Sequence, residues 1–274
     1  MIEYLVLIPC IFFILFLVPT RFRQYAGILG WAGVVLYLFA EIPTYFAENN
    51  FLYPILAVLS VPFLFVTARF LLARETRALQ LTTAAAVAFL IYAPFEFIQP
   101  LGDWLISVVV GQIVWVLTAL HYQTALVAWD MLQRNGFRIE IILACTGIQA
   151  MAIMLGVASA VPSTTRQKVL SFLLVVPTIY VLNVARNVAV VIAYTDQWFP
   201  YFPEIAGNGE YGYESFFWAH NVAAEGLALV LLIGIAYGLF IINPALADFA
   251  RDLFDNYYRE FKTLIGGAKE KAGT

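Results

Sequence analysis

Seven stretches of this chain run for roughly 18 to 27 residues with no more than two charges each, and nothing else in the sequence constrains the fold as tightly. They are residues 2–19, 25–45, 51–72, 78–97, 140–161, 168–194 and 216–242. A helix crossing about 30 Å of hydrocarbon needs about 20 mostly apolar residues. Backbone polar groups in lipid must be satisfied internally, and helices do this within one segment. Period-2 alternation of the kind a membrane β-barrel requires is absent. The spacing therefore predicts an all-α, polytopic transmembrane bundle of seven spans. Composition agrees: 62% of the 274 residues are hydrophobic and only 12% charged, against about a quarter charged in soluble domains. A net charge of -3 offers no basic field for nucleic acid. The first stretch lacks a basic leader and a small-residue cleavage site and reads as a retained span, although its length also fits a signal segment.

Residues 103–129 are ambiguous. Their uncharged run, 104–120, is short for a span, and Gly111, Gln112, His121 and Gln123 suit an interfacial or re-entrant element. With the N-terminus outside and this segment on the extracytoplasmic surface, twelve of the fifteen basic residues fall on the cytoplasmic side. An eighth span results if 103–129 crosses instead. The loop 195–216 is rich in aromatics, including Trp198, Tyr201, Tyr211 and Tyr213, as expected of an interfacial belt. Residues 1–243 then form the transmembrane region. Residues 244–274 mix charges with Leu253, Phe254, Tyr257 and Tyr258, which predicts a cytoplasmic amphipathic tail.

Polar groups inside a span are costly and mark functional positions. Cys145 lies about one turn into its predicted helix, Arg186 near the far end of the next, and His220 at the start of the last. Alternating chain direction brings all three to one depth near the outer surface. A thiolate is the working nucleophile of a cysteine, and nearby cations favour it. A histidine can take the thiol proton and return it to a leaving amine. An arginine stays protonated and can hold an oxyanion or a substrate carbonyl. Asn183, Arg186 and Asn187 share a helix face at i, i+3 and i+4; Cys145 pairs with Gln149, and Asn221 with Glu225, at i, i+4. Taken singly, each has an ordinary explanation: an inert buried thiol, as expected for Cys10, a snorkelling arginine, a helix-start histidine, a structural anchor at Glu225. The coincidence of the three at one depth favours a site. Two cysteines and two histidines leave no metal-ligand set, and no cofactor is expected.

Three motifs make the wording specific. Ala144-Cys145-Thr146-Gly147 resembles the nucleophile motif of the exosortase/archaeosortase family, with Ile148-Gln149 as in its archaeosortase A branch. Asn183-Val184-Ala185-Arg186-Asn187 is similar to the family's N-x-x-R-N helix, and Trp218-Ala219-His220-Asn221 falls where the family has its third catalytic position. The resemblance covers roughly residues 100–242; before that it is one of hydropathy and helix count. It implies a membrane-embedded cysteine transpeptidase with Cys145 as nucleophile, His220 as general acid/base and Arg186 as stabiliser. Its partners would be exported surface proteins bearing a C-terminal Pro-Gly-Phe motif, a transmembrane helix and a basic tail, with a membrane phospholipid as acyl acceptor. A peptidase that stops at hydrolysis and a non-enzymatic transporter component are the competing classes.

Overall fold

In the computed structural model, residues 5–47 and 50–272 are described, with side chains described through residue 263. The chain is mostly helical: α1 Leu7–Leu17, α2 Arg23–Ala40, α3 Ile42–Ala47, α4 Leu52–Leu72, α5 Thr76–Phe97 and α6 Gln99–Ala119 precede a small sheet. Strands β1 Ala125–Leu126, β2 Met131–Arg134 and β3 Phe137–Glu140 form an antiparallel meander. Then come α7 Ile148–Ala158, α8 Thr165–Thr195, the short α9 Pro203–Ala206 and α10 Tyr213–Phe216, α11 Glu225–Ile242 and α12 Pro244–Ala272. The chain divides into two compact units: 1–90 with 155–168 and 239–274, and 91–154 with 169–238.

In the first unit, α1 lies against α2 because Gly27, Gly30 and Gly33 remove side chains from the facing stripe. A Cβ at Gly30 would stand 2.7 Å from the Phe13 ring, and one at Gly33 2.9 Å from Pro9. Phe13 and Phe16 are thereby fully buried, with Trp31 edge-on to Phe13 and donating its indole N–H to Thr82 Oγ1 at 3.1 Å. Helix α12 docks on α4. Leu246, Phe249 and Tyr257 are its buried side, and the Tyr257 hydroxyl meets Thr67 Oγ1 at 2.7 Å. Burial pushes the Tyr257 phenol up to about 12, so it stays protonated at neutral pH. Ion pairs from Arg69 to Glu260 and from Arg77 to Asp252 complete the seam.

In the second unit, Ile106, Val109, Val110, Ile113 and Leu117 form one stripe of α6 at helical spacing. They pack with Leu132 and Ile139 of the sheet and with Val188, Val191 and Ile192 of α8. Asn135 and Gly136 turn β2 into β3 with φ of 51° and 86°, the two positive values that a tight hairpin turn needs. Asn135 Nδ2 donates to Thr195 O and Asp196 Oδ1, both at 3.1 Å, and Arg134 pairs with Asp196, so the hairpin is fastened to the end of α8.

Among the described residues, six helices are long and apolar enough to cross a membrane: Arg23–Ala47, Leu52–Leu72, Thr76–Phe97, Gln99–Ala119, Thr165–Thr195 and Tyr213–Ile242. The expectation of seven to eight spans is corrected accordingly, as is that of a purely helical fold. Helices Leu7–Leu17 and Ile148–Ala158 have 11 residues each, which at 1.5 Å per residue covers only about 16 Å. Residues 140–161 do not form one helix, because Glu140 ends a strand and Gly147 breaks the path with φ 79°. Residues 103–119 belong to a helix of spanning length rather than a surface element. It begins at Gln99, with Pro100 in its first turn, and so exceeds the uncharged run. The large exposed side chains of α4, Ile55, Val58 and Leu59 among them, are the apolar exterior that lipid requires.

Candidate active site

The nucleophile motif is a turn, not the first turn of a helix. Leu143–Thr146 forms a 3₁₀ turn following extended Ile142, and Gly147 caps it in the left-handed conformation that glycine adopts without penalty. Thr146 holds the turn from inside, its hydroxyl donating to Leu143 O at 2.7 Å. Gly147 has a second reason to be glycine, since a Cβ there would lie 3.1 Å from Asn183 Cγ.

Asn183, Arg186 and Asn187 do share one face of α8, and that face meets the turn. Asn183 Nδ2 and Asn187 Nδ2 both donate to the Cys145 backbone carbonyl, each at 2.7 Å. Both asparagines are buried. The cysteine is therefore held through its main chain. Burial raises the pKa of that thiol; the nearby Ile142 backbone amide and then the charge of Arg186 oppose the rise, and Glu140 adds to it.

His220 rides on a π-helical segment, Phe217–Ala224, between α10 and α11. Such widened turns are uncommon and recur at functional sites. Arg186 Nη2 lies 3.2 Å from His220 Nε2, and His220 Nδ1 lies 2.9 Å from Asn221 Oδ1. An arginine can only donate, so Nε2 accepts and Nδ1 carries the proton donated to Asn221. This is the neutral tautomer with the Nε2 lone pair turned toward Arg186. Phe216 stacks on the imidazole, centroids 4.9 Å apart and planes 14° apart, and fixes its plane. Arg186 Nε is buried and has no hydrogen-bond partner among the described residues. A cavity of about 420 Å³ opens here, lined by Gln149, Asn183 and Arg186 and otherwise by apolar side chains such as Ala189, Leu227 and Leu231.

The structure thus joins Cys145 to Asn183 and Asn187, and Arg186 to His220 and Asn221. Two supporting residues lie differently from their expected pairings. Gln149 bonds the Tyr92 hydroxyl at 3.2 Å rather than serving the cysteine one turn away. Glu225 forms no ion pair with Arg186 among the described residues. Cys10 is buried in α1, in the other unit. Sequence reasoning missed Phe216 and Tyr92. The i, i+4 spacing of Phe216 and His220 was an available signal; nothing local connects Tyr92 to Gln149. No group of three or more His, Cys, Asp or Glu that could hold a metal occurs among the described residues.

Helices of spanning length define a multi-pass membrane protein, and Cys145, Arg186 and His220 lie in one of its two units. The chain belongs to the transmembrane exosortase family, whose model matches residues 2–209, a range that includes Cys145 and Arg186 and ends before His220. It is 29% identical over 226 residues to Archaeosortase A of Natronomonas pharaonis, covering 76% of this chain and 72% of that one. It is 25% identical over 249 residues to Archaeosortase A of Haloferax volcanii, covering 82% of each. No solved structure is significantly similar.

Proposed function

We propose that the protein is a membrane-embedded cysteine transpeptidase, an archaeosortase, acting on exported surface proteins that end in a Pro-Gly-Phe motif, a transmembrane helix and a basic tail. Family membership and its archaeosortase A relatives support the substrate class. The observation that carries the chemistry is the pairing of a neutral His220, its Nε2 accepting, with Arg186 on the helix that anchors Cys145.

Substrate binding draws Arg186 toward the scissile carbonyl oxygen and frees His220 Nε2. His220 takes the Cys145 proton, and Sγ attacks the carbonyl carbon. The oxyanion forms beside Arg186, whose Nε is a buried donor without a partner. Collapse of the adduct breaks the C–N bond; His220 returns the proton to the leaving amine, and the substrate's new C-terminus remains as a thioester on Cys145. A lipid headgroup amine then attacks the thioester carbonyl, loses its proton to His220 and forms an amide, and the thiolate recovers that proton. Water in place of the amine gives hydrolysis, the alternative outcome at the same thioester. The reaction is assigned to the extracytoplasmic side, where exported substrates are found, with residues 1–243 as the catalytic region and 244–274 on the cytoplasmic side.

The test is to trap the thioester with a tripartite-signal peptide in detergent-solubilised protein, and to determine the mass of the processed C-terminus. Cys145→Ala should form no adduct while inserting normally, and Cys10→Ala should behave as wild type. Processing by Cys145→Ala would refute the nucleophile. A free carboxylate instead of a lipid amide would reduce the activity to hydrolysis.

A further inference from the structure

The sheet has an edge that runs into the nucleophile. Its register pairs Met131 with Glu140, Leu132 with Ile139, Gln133 with Arg138 and Arg134 with Phe137. Ile141 N–H donates to Asp130 O at 2.8 Å, which extends the same register and makes residues 130 and 141 a hydrogen-bonded pair. Antiparallel ladders alternate hydrogen-bonded and non-hydrogen-bonded pairs. Residues 137, 139 and 141 therefore spend their backbone groups on β2, while 138 and 140 turn theirs to the outer side. Val127 N–H bonding Met131 O on the opposite flank of β2 fixes the same phase independently.

Those outward groups meet nothing. The sheet ends at β3, and no hydrogen bond to the backbone N–H or C=O of Arg138 or Glu140 occurs among the described residues. Both residues are exposed. The next position in the alternation is Ile142, still extended with φ -100° and ψ 173°, but its carbonyl already accepts the Cys145 N–H at 2.9 Å. The free edge is therefore Arg138 and Glu140, and extended Ile142 carries the chain from it into the turn that holds Cys145.

We infer that this edge of β3 is the docking site for the extended segment of the substrate, which adds as a fourth strand and is led by it to Cys145. The inference rests on the transpeptidase reading and names how that site takes its substrate. A peptide bond inside a helix is shielded by its neighbours, so a chain cleaved beside its transmembrane helix must be unwound there. Unwound backbone near a membrane leaves N–H and C=O groups unsatisfied, which is costly. An open strand edge satisfies them without reading side chains, as in other strand-addition complexes. The exposed charges of Arg138 and Glu140 are typical of natural edges protected against pairing with another copy of the chain.

The experiment measures KM for a synthetic Pro-Gly-Phe peptide with the full-length protein, and competition by versions N-methylated at one backbone position at a time. Strand addition predicts a period of two: alternate N-methyl groups raise the apparent constant roughly tenfold per lost bond, and those between are tolerated. On the enzyme, Arg138→Pro removes one outward N–H, at a place where an edge strand accepts proline. It should raise KM by a similar factor over that of Arg138→Ala, which loses the same side chain but keeps the donor. Uniform tolerance of N-methylation with thioester formation intact overturns edge docking and leaves the Cys145 chemistry standing. Failure of wild type to form any thioester overturns both. Misfolding of Arg138→Pro leaves the decision to the N-methyl series, which needs no variant.

Discussion

The two asparagine amides on the Cys145 carbonyl make a quantitative prediction through a double-mutant cycle. Asn183→Leu and Asn187→Leu each remove one donor while keeping approximate shape. Either single variant leaves the carbonyl with one partner, so the loss is that of one net hydrogen bond, about 1 kcal/mol. That corresponds to about fivefold slower thioester formation if the bond serves to hold the turn. The double variant differs in kind, because the carbonyl then has neither donor and carries a desolvation cost of about 1–3 kcal/mol. It should be slower by roughly 100-fold, more than the product of the two singles, with a coupling energy of order 1 kcal/mol. Single-turnover trapping of the thioester measures this directly, and resolution by amine should be unaffected once the thioester exists. If one single variant is as inactive as Cys145→Ala, that amide acts on the reacting groups and not on the turn. If the two effects multiply without coupling, the carbonyl is not a shared acceptor, and the positioning role is wrong.

Other substitutions separate backbone, charge and topology. Gly147→Ala imposes a left-handed conformation costing about 1–2 kcal/mol and crowds Asn183 at 3.1 Å, whereas Gly136→Ala at φ 86° carries the conformational cost alone, with nothing within 4 Å. Thermal unfolding in detergent should fall for both, but processing should drop only for Gly147→Ala, and equal processing losses would remove the Asn183 contact from the explanation. Arg186→Lys should slow processing at least about 100-fold at unchanged expression, because a point charge lacks the guanidinium fork; near-normal turnover would make Arg186 a general charge. Single cysteines replacing Arg138 and Asn208, in a Cys10→Ala and Cys145→Ala background, should react with an impermeant maleimide from the same side, and one replacing Arg166 from the other. The hairpin is tied to the C-terminal end of α8 and Arg166 lies at its start, so labelling of all three from one side would contradict a crossing by α8.

What the sequence revealed and what it hid have one physical division. Local periodicity is legible: Asn183, Arg186 and Asn187 fall on one helix face by spacing alone. Their acceptor was not, because Cys145 O is 38 to 42 residues away in the chain. Hydropathy over 140–161 found an apolar run but could not distinguish strand, 3₁₀ turn and helix, which bury the same side chains. The signals that do distinguish them were present. Asn135-Gly136 between Met131-Leu132-Gln133-Arg134 and Phe137-Arg138-Ile139-Glu140 is a hairpin turn between two short strands, and Gly147 directly after Thr146 marks a left-handed cap. Likewise the uncharged run 104–120 understated α6, because a helix may begin on a proline and carry an acid in its early turns, as Pro100 and Asp103 do here.

The same backbone features bear on the role proposed for Cys145, because they fix the residue without calling on a charged partner. A thiol packed against an apolar cluster resists ionisation, and pairing it permanently with a cation would leave that cation unable to serve a substrate. Here the main chain is held: two amides grip the carbonyl of Cys145 and glycine closes the turn. Arg186 Nη2 meets His220 Nε2 at 3.2 Å, beside a cavity that Arg186 lines and whose other walls are mostly apolar. Arg186 Nε, a buried donor without a partner among the described residues, is the group to which the proposed mechanism assigns the developing oxyanion.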